Sequence, residues 1–337
     1  MSENNYESDS NVVVSIVIPI LNEEKYIANC IESILEQDYP KEKLELVLVD
    51  GISSDDTLAI IERYKSYCPF IKVYSNPQKT VQFALNIGIM NAKGKYIVRM
   101  DAHSEYVADY VSKCIEFLEK TNAFDVGGPM IAKGKNDIQK VVAAAYHSPF
   151  ALGGGKFHIE NFEGYADTVF LGAFRKQDLI DIGLYDERLP RSEDDDLTFR
   201  INEAGYKVYI TPQIKSVYYP RDSYSSLFKQ YFEYGLWKVA VIKKHKKPAR
   251  ISHLIPLLFI LFLLFFGLGS LIFRPIRYIF VIVMCLYIVL DVFFSFKNKY
   301  INSFKNKLRL MYVHFVLHFS YGIGFLIGIF KFFNYRW

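Results

Sequence analysis

Short apolar runs rich in β-branched residues alternate with amphipathic stretches through the first hundred residues. VVVSIVIPI (Val12–Ile20) is continuous and apolar, the pattern of a strand covered on both faces. It stops at Pro19 and enters LNEEKYIANCIESILEQ. There Ile27, Ile31, Ile34 and Leu35 share one helical stripe, and Asn22 reads as the N-cap. LELVLVDG predicts a second buried strand ending in Asp50-Gly51. The helix ISSDDTLAIIERY follows, with Ser53 or Ser54 as cap and Asp55 and Asp56 in its favourable first turn. IKVYSN predicts a third strand, TVQFALNIGIMNA a helix, and GKYIVRMDAH a fourth strand that runs on through Asp101 and His103. Strand–helix alternation at this spacing predicts an α/β class with a mainly parallel sheet.

Two later stretches change the pattern. DLTFRINEAGYKV predicts a helix with Leu197, Ile201 and Ala204 on one side and Gly205 closing it, preceded by the acids Glu193, Asp194, Asp195 and Asp196. Beyond residue 250 the helical pattern loses its polar face. Residues 254–273, 278–296 and 310–333 are each about 20 residues long and apolar, enough to cross a hydrocarbon core. The expected organisation is a disordered start at 1–11, a catalytic part at 12–225, an amphipathic basic linker at 226–252 and a membrane part at 253–337.

Composition sharpens this division. A hydrophobic content of 51% and an aromatic content of 16% exceed what a water-soluble chain carries, and the excess lies after residue 250. The net charge of +4 is too mild for a nucleic-acid partner. The basic segments KKHKKPAR (Lys243–Arg250) and KNKYINSFKNKLR (Lys297–Arg309) flank the apolar spans. Placing both inside puts the front part in the cytoplasm and leaves the end of a third span outside. The start of the chain is polar and acidic and reads as no signal peptide, in keeping with a cytoplasmic catalytic part. Cys30, Cys68, Cys114 and Cys285 have no metal-ligand spacing and read as reduced, buried thiols.

Ligands of parallel sheets bind beyond the carboxyl ends of the strands. The polar residues expected there are Asn22, Glu23, Asp50, Asn76, Lys79, Asp101 and His103. Since residues two apart on a strand face the same way, Asp101 and His103 would aim at one object. No GxGxxG or GxxxxGK[ST] follows any strand, so a phosphate here would be held by a metal rather than a glycine cradle. Singly, Asp50-Gly51 is also an ordinary turn, Asp101 also a helix cap, and His103 also a surface group.

SIVIPILNEEKYIANCIESIL, LVLVDGISSDDT and NIGIMNAKGKYIVRMDAH, in that order, resemble the inverting family 2 glycosyltransferases of GT-A fold, and most of all their membrane-attached succinoglycan-biosynthesis branch. The likeness covers residues 12–240. It implies that Asp50 recognises the nucleotide base, that Pro19, Asn22 and Glu23 line the nucleotide, and that Lys79 meets its charged part. Asp101-Ala102-His103 takes the place of the family's Asp-x-Asp, implying a divalent ion on Asp101 and His103. Imidazole there favours Mn²⁺ over Mg²⁺. Matching Glu-Asp-x-x-Leu-x-x-Arg to residues 193–200 makes Asp194 the base that deprotonates the acceptor, with Glu193 its near alternative. The other reading of the four acids is a helix start loaded with favourable charge.

Asp167, Gly172 and Arg175 resemble acceptor-side positions or ordinary strand and turn residues. Gln230 and Trp237 fall in KQYFEYGLWKV, which resembles a family Gln-x-x-Arg-Trp segment without its spacing, or forms an interfacial amphipathic helix. The resemblance thus implies a multi-pass cell-membrane enzyme with a cytoplasmic catalytic domain. It would use a nucleotide-sugar donor and a polyprenyl-linked saccharide acceptor in the bilayer, beside other glycan-assembly membrane proteins. Transfer directly to polyprenyl phosphate, or a non-catalytic scaffold of an assembly complex, are the alternatives.

Overall fold

The first apolar run folds as its pattern requires: β1 (Val14–Ile20) is buried along nearly its whole length and lies inside a sheet. The coordinates are a computed structural model that describes residues 11–152, 155–248, 250–335 and 337. All of the expected disordered stretch 1–11 except Asn11 lies outside the described residues. In chain order, β1 is followed by α1 (Ile27–Leu35), β2 (Leu44–Asp50), α2 (Thr57–Lys65), β3 (Ile71–Ser75), α3 (Val81–Asn91) and β4 (Tyr96–Arg99). Then come β5 (Ser104–Tyr106), α4 (Tyr110–Thr121), β6 (Asp125–Gly128), β7 (Met130–Ala132), α5 (Asp137–Tyr146) and α6 (Pro149–Leu152). β8 (Gly164–Ala166), β9 (Phe170–Arg175), α7 (Lys176–Asp181), α8 (Glu193–Glu203), β10 (Val208–Ile210) and β11 (Ser216–Tyr218) follow. Four long helices close the order: α9 (Tyr224–His245), α10 (Ile255–Ile272), α11 (Arg274–Lys297) and α12 (Phe304–Lys331).

The chain forms two compact units. The first comprises Met1–Pro129, Asn161–Glu187 and Arg200–Ser216, and holds an eight-stranded sheet in the order β3-β2-β1-β4-β9-β6-β10-β8. β3, β2, β1 and β4 run parallel in register, Val14 beside Leu44 and Tyr96, whereas β9 enters antiparallel. This is the mainly parallel sheet flanked by helices of the GT-A fold. Its core gathers Ile16, Ile18, Leu46, Leu48 and Val98 with Ile31, Val111 and Phe117 of the covering helices. α3 comes so close to the sheet that a methyl group on Gly88 would stand 2.4 Å from Val17 Cγ1. Pro19 is tolerated in a central strand because β4 pairs with β1 only as far as Val17. Beyond that point the missing N–H costs no ladder bond.

The second unit comprises Met130–Glu160, Arg188–Phe199 and Val217–Trp337. It is almost wholly helical. α9 continues without a break through residue 225, where the sequence places the end of the catalytic part. Residues 251–272, 274–297 and 304–331 form three helices long and apolar enough to cross a membrane, slightly displaced from the expected 254–273, 278–296 and 310–333. Asp291 of α11 is buried against His314 Nδ1 at 2.7 Å. Cys30, Cys68 and Cys114 are buried as expected, but Cys285 is exposed, because the face of α11 that carries it is turned outward.

Candidate functional site

In the first unit the ends of β1, β2 and β4 carry the polar cluster that the sequence places there. The loops after β1 and β2 are stitched together. Asn22 N–H donates to Ser53 Oγ at 2.9 Å, Ser54 N–H donates to Asn22 Oδ1 at 2.8 Å, and Glu23 N–H donates to Thr57 Oγ1 at 2.8 Å. Asn22 therefore caps no helix: α1 begins only at Ile27, and the amide side chain ties one loop to the other. Ser53 and Ser54 likewise leave the start of α2, which opens at Thr57 with Asp55 Oδ1 accepting the Thr57 N–H. Partial desolvation raises the Asp55 carboxyl. The bonds from Thr57 and the Glu24 backbone together outweigh it and hold the group below its ordinary value.

Asp50 is buried at the end of β2. Its Oδ1 accepts from Ser53 Oγ at 2.6 Å and its Oδ2 from Ser53 N–H at 3.0 Å. Asn76, at the end of β3, donates Nδ2–H to Thr80 O and leaves Oδ1 buried without a partner. The backbone of these loops is unusual. Asn22, Ile52 and Lys79 have φ near +60°, a region that β-branched residues such as Ile52 avoid. Such strain persists where surrounding contacts impose it, and it gathers at functional sites. The Lys79 side chain is exposed.

The Asp101-Ala102-His103 segment departs from expectation in its backbone. β4 stops at Arg99, and Ser104 N–H turns back to Asp101 O at 3.2 Å, so strand alternation is not what sets the two side chains. Tyr106 fixes the turn, its hydroxyl receiving the Asp101 N–H at 2.7 Å. Burial raises that phenol well above its ordinary value, as does the charge of Asp101. Asp101 Oδ1 lies 3.9 Å from Arg99 Nε, and His103 Nδ1 lies 3.4 Å from Glu23 Oε1. Glu23 is thus brought beside a residue with which the sequence does not pair it.

No cluster of three His, Cys, Asp or Glu side chains able to hold a metal is present among the described residues. A cation that arrives with a diphosphate needs only one or two protein donors, the remaining positions going to phosphate oxygens and water. The oxygen of Asp101 and the nitrogen of His103 fit that kind of site.

β9 carries two of the acceptor-side candidates. Gly172 pairs with Arg99, and a methyl group there would meet Asp125 Oδ1 at 2.5 Å. Arg175 pairs with Tyr96, at the far end of the strand. Its guanidinium donates to Leu118 O at 2.8 Å and Ala123 O at 3.1 Å. The antiparallel register therefore separates Arg175 from the strand ends that hold Asp50 and Asp101, and its work is to hold backbone carbonyls. Asp167 lies between β8 and β9, its carbonyl accepting from Asn202 Nδ2 at 2.8 Å.

In the second unit α8 begins at Glu193, so the four acids form its first turn rather than a preceding loop. They are not alike. Asp195 Oδ2 meets Lys238 Nζ at 2.5 Å, and fully buried Asp196 Oδ1 meets Lys244 Nζ at 2.6 Å and His245 Nε2 at 2.7 Å. Loss of water raises the Asp195 carboxyl, but the Lys238 ammonium outweighs this and leaves it below its ordinary value. Sequence reasoning missed these partners. The available signal was the seven-residue spacing of Lys238 and His245, which puts those two on one stripe of α9; Lys244, next to His245, follows no such spacing. Glu193 is buried and Asp194 exposed at the same helix start.

Gln230 Nε2–H donates to the Tyr234 hydroxyl at 3.0 Å while its Oε1 is buried without a partner. Trp237 packs on Phe332, ring centres 5.1 Å apart, with Lys331 Nζ 5.0 Å over its ring.

With this geometry in place, comparison with known proteins is informative. A family model described as Glycosyl transferase family 2 matches residues 15–182. The chain is similar to the dolichyl N-acetyl-alpha-D-glucosaminyl phosphate 3-beta-D-2,3-diacetamido-2,3-dideoxy-beta-D-glucuronosyltransferase of Methanococcus voltae. The two are 31% identical over 239 residues, 68% of this chain and 74% of that protein. It is also similar to the succinoglycan biosynthesis protein ExoA of Rhizobium meliloti (strain 1021), 31% identical over 259 residues, 76% of this chain and 77% of the relative. Among solved structures, the mannosyltransferase PcManGT of Pyrobaculum calidifontis, in complex with GDP-Man and Mn²⁺, matches with a TM-score of 0.65. That match covers 93% of this chain and 86% of the mannosyltransferase at 17% identity, a likeness of fold.

Proposed function

The chain belongs to glycosyltransferase family 2, and from that premise we propose that it moves a sugar, with inversion, from a nucleotide-sugar donor onto a lipid-linked saccharide. The observation that carries this reading is the strand-end cluster of the first unit. Asp50, Asn22 and Glu23 are held by the meshed loops, with Asp101 and His103 in the turn after β4. A lipid-linked acceptor is supported by the dolichyl-linked substrate in the name of the Methanococcus relative and by the three apolar helices. The protein acts at the cell membrane with its catalytic part on the cytoplasmic side.

Buried Asp50 is the acceptor for base N–H groups of the nucleotide, and its bonds to Ser53 fix the direction of its remaining lone pairs. Pro19, Asn22 and Glu23 shape the wall beside the nucleotide, and exposed Lys79 meets the charge of the diphosphate. Asp101 and His103 would hold a divalent cation, with Mn²⁺ preferred because one donor is imidazole. When bound, that cation supplies electrostatic stabilisation for the charge on the departing diphosphate. Asp194 takes the proton of the acceptor hydroxyl as its oxygen bonds to the anomeric carbon and the bond to the diphosphate breaks. Glu193 is the near alternative for that proton. Gly172, Asp167, Gln230 and Trp237 belong to the acceptor side.

The test is release of nucleoside diphosphate from a panel of sugar nucleotides by membranes carrying the protein, with Mn²⁺ and a chelator as the two arms. At least one donor is expected to give metal-dependent release that falls by about 100-fold or more in Asp101→Ala, the size of effect typical for losing one charge-stabilising group. A panel with no release and no sugar-nucleotide binding would overturn the reading in favour of a non-catalytic role.

A further inference from the structure

We infer that the chain crosses the bilayer twice, through the α10–α11 hairpin, and that α12 does not cross but lies in the headgroup layer over the base of that hairpin. α12 has the length and apolarity of a third span, and its neighbours decide otherwise.

α10 and α11 are joined at Phe273-Arg274 with almost no loop, and the Phe259 ring stacks on Tyr287 at 4.9 Å, so they run antiparallel as a hairpin. With the turn that precedes α10, the two apolar segments have 22 and 24 residues, about 33 and 36 Å at 1.5 Å per residue, enough for a hydrocarbon core of about 30 Å. Their side chains face outward all around, Phe265 being 71% and Leu271 74% exposed, as befits helices surrounded by acyl chains. The two feet of the hairpin, Leu254 and Lys297, are on one side of the membrane by construction.

Both ends of α12 are fastened to those feet. At its start, Lys307 Nζ donates to Phe296 O at 2.8 Å, one residue from the exit foot. At its end, Lys243 in the last turn of α9, which leads into the entry foot, donates to the carbonyls of Phe332 and Phe333, and the apolar cluster that holds Phe325 and Phe332 packs against Leu254 and Leu257 at that foot. A helix whose two ends meet the two feet of one hairpin has both ends on the same side.

The contacts in between agree. His314 meets Asp291 and Ser295 of α11, and His318 meets the Tyr287 hydroxyl at 3.0 Å. Gly322 then lies so close to α10 that a methyl group there would be 2.3 Å from Pro256 O. α12 leaves α11 for α10 at the same height, which is a crossing.

Charge and polarity fit this placement. Lys305, Lys307 and Arg309 at one end of α12 and Lys331 at the other are basic, so each belongs on the cytoplasmic side. Asp291 and His314, buried together, sit about two turns from Lys297, at the edge of the hydrocarbon rather than in its middle. The face of α12 that carries Leu308, Tyr312, Phe319, Ile323 and Phe330 is exposed or half-exposed along its whole length. With the opposite face packed on protein, this stripe is what an interfacial helix dips into the acyl boundary. α9 lies along the protein face at backbone contact, a methyl group on Gly324 reaching within 2.0 Å of Phe232 O.

Single cysteines at exposed Asn302 and Asn334, which bracket α12, and at Arg274 on the hairpin tip test this in the full chain. Sealed vesicles of known orientation are treated with a membrane-impermeant maleimide, and unsubstituted protein gives the Cys285 background. Asn302→Cys and Asn334→Cys are expected to label from the same side to the same extent, and Arg274→Cys only from the other. Labelling of Asn302→Cys and Asn334→Cys from opposite sides would overturn the inference, as would Arg274→Cys labelling on their side. Because the readout is topological, its outcome is independent of whether any sugar is transferred.

Discussion

The acids at the strand ends of the first unit and the acids that open α8 in the second unit look equivalent in the sequence, yet the structure uses them differently. Asp50 is held by a hydroxyl and a backbone N–H of Ser53, neutral donors that orient a carboxylate without cancelling its charge. Asp195 and Asp196 are met by the ammonium groups of Lys238 and Lys244, whose positive charge is spent on fastening α8 to α9, and Asp196 is met by the His245 ring as well. A carboxylate held by neutral donors keeps a field to offer a ligand. One matched by ammonium groups is tied to structure. Crowding of acids is therefore a poor guide to chemistry until the partner of each is known.

The sharpest way to break this comparison is at Asp196. Removing one member of a buried charge pair typically costs about 3–5 kcal/mol, because here the Lys244 ammonium beside fully buried Asp196 is left without compensation. Asp196→Ala is expected to unfold the protein at markedly lower denaturant or temperature in detergent. Replacing Asp196 together with Lys244 and His245 by apolar residues should recover much of that loss. An Asp196→Ala protein as stable as the parent would remove the structural role assigned to the pair.

A smaller effect is expected at Asn22, whose side chain accepts one loop-to-loop hydrogen bond from Ser54. Asn22→Ala should cost about 1 kcal/mol of stability, and the strain of φ near +60° adds to it since alanine tolerates that region poorly. Asn22→Gly keeps the backbone and loses only the bond, so it should retain more stability than Asn22→Ala. The reverse ranking in thermal melts would mean that the left-handed backbone is not what Asn22 supplies.

Much of the first unit was legible in the sequence because continuous β-branched runs leave few alternatives to a buried parallel strand. Val12–Ile20 and Leu44–Asp50 are the clearest cases. The strand-end residues followed from that, since a parallel sheet dictates where its ligand-facing ends are. Local backbone was less legible. Asp101 and His103 sit in a turn closed by Ser104 rather than on β4, and Asn22 joins loops rather than capping α1. Both outcomes depend on hydrogen bonds to residues that are remote in sequence or follow no periodicity. In the sequence Arg175 resembles an acceptor-side position or an ordinary strand residue, and only the antiparallel register of β9 reveals that it lies at the other end of the strand. Hydropathy found all three apolar helices, yet length and composition say nothing about direction. The fastening of α12 to both feet of the hairpin depends on Lys243 and Lys307, which hydropathy counts only as flanking charge.

The central claim separates Asp194 from its neighbour Asp195 along the same helix turn. Transfer of sugar to the lipid-linked acceptor should be measured for Asp194→Asn and Asp195→Asn at saturating donor. The account predicts that Asp194→Asn loses about 10²- to 10⁴-fold in turnover, as for removal of a general base, with donor binding intact. Asp195→Asn should stay within a few-fold of the parent and lose thermal stability instead. Equal loss of turnover in both variants, or in neither, would contradict the account.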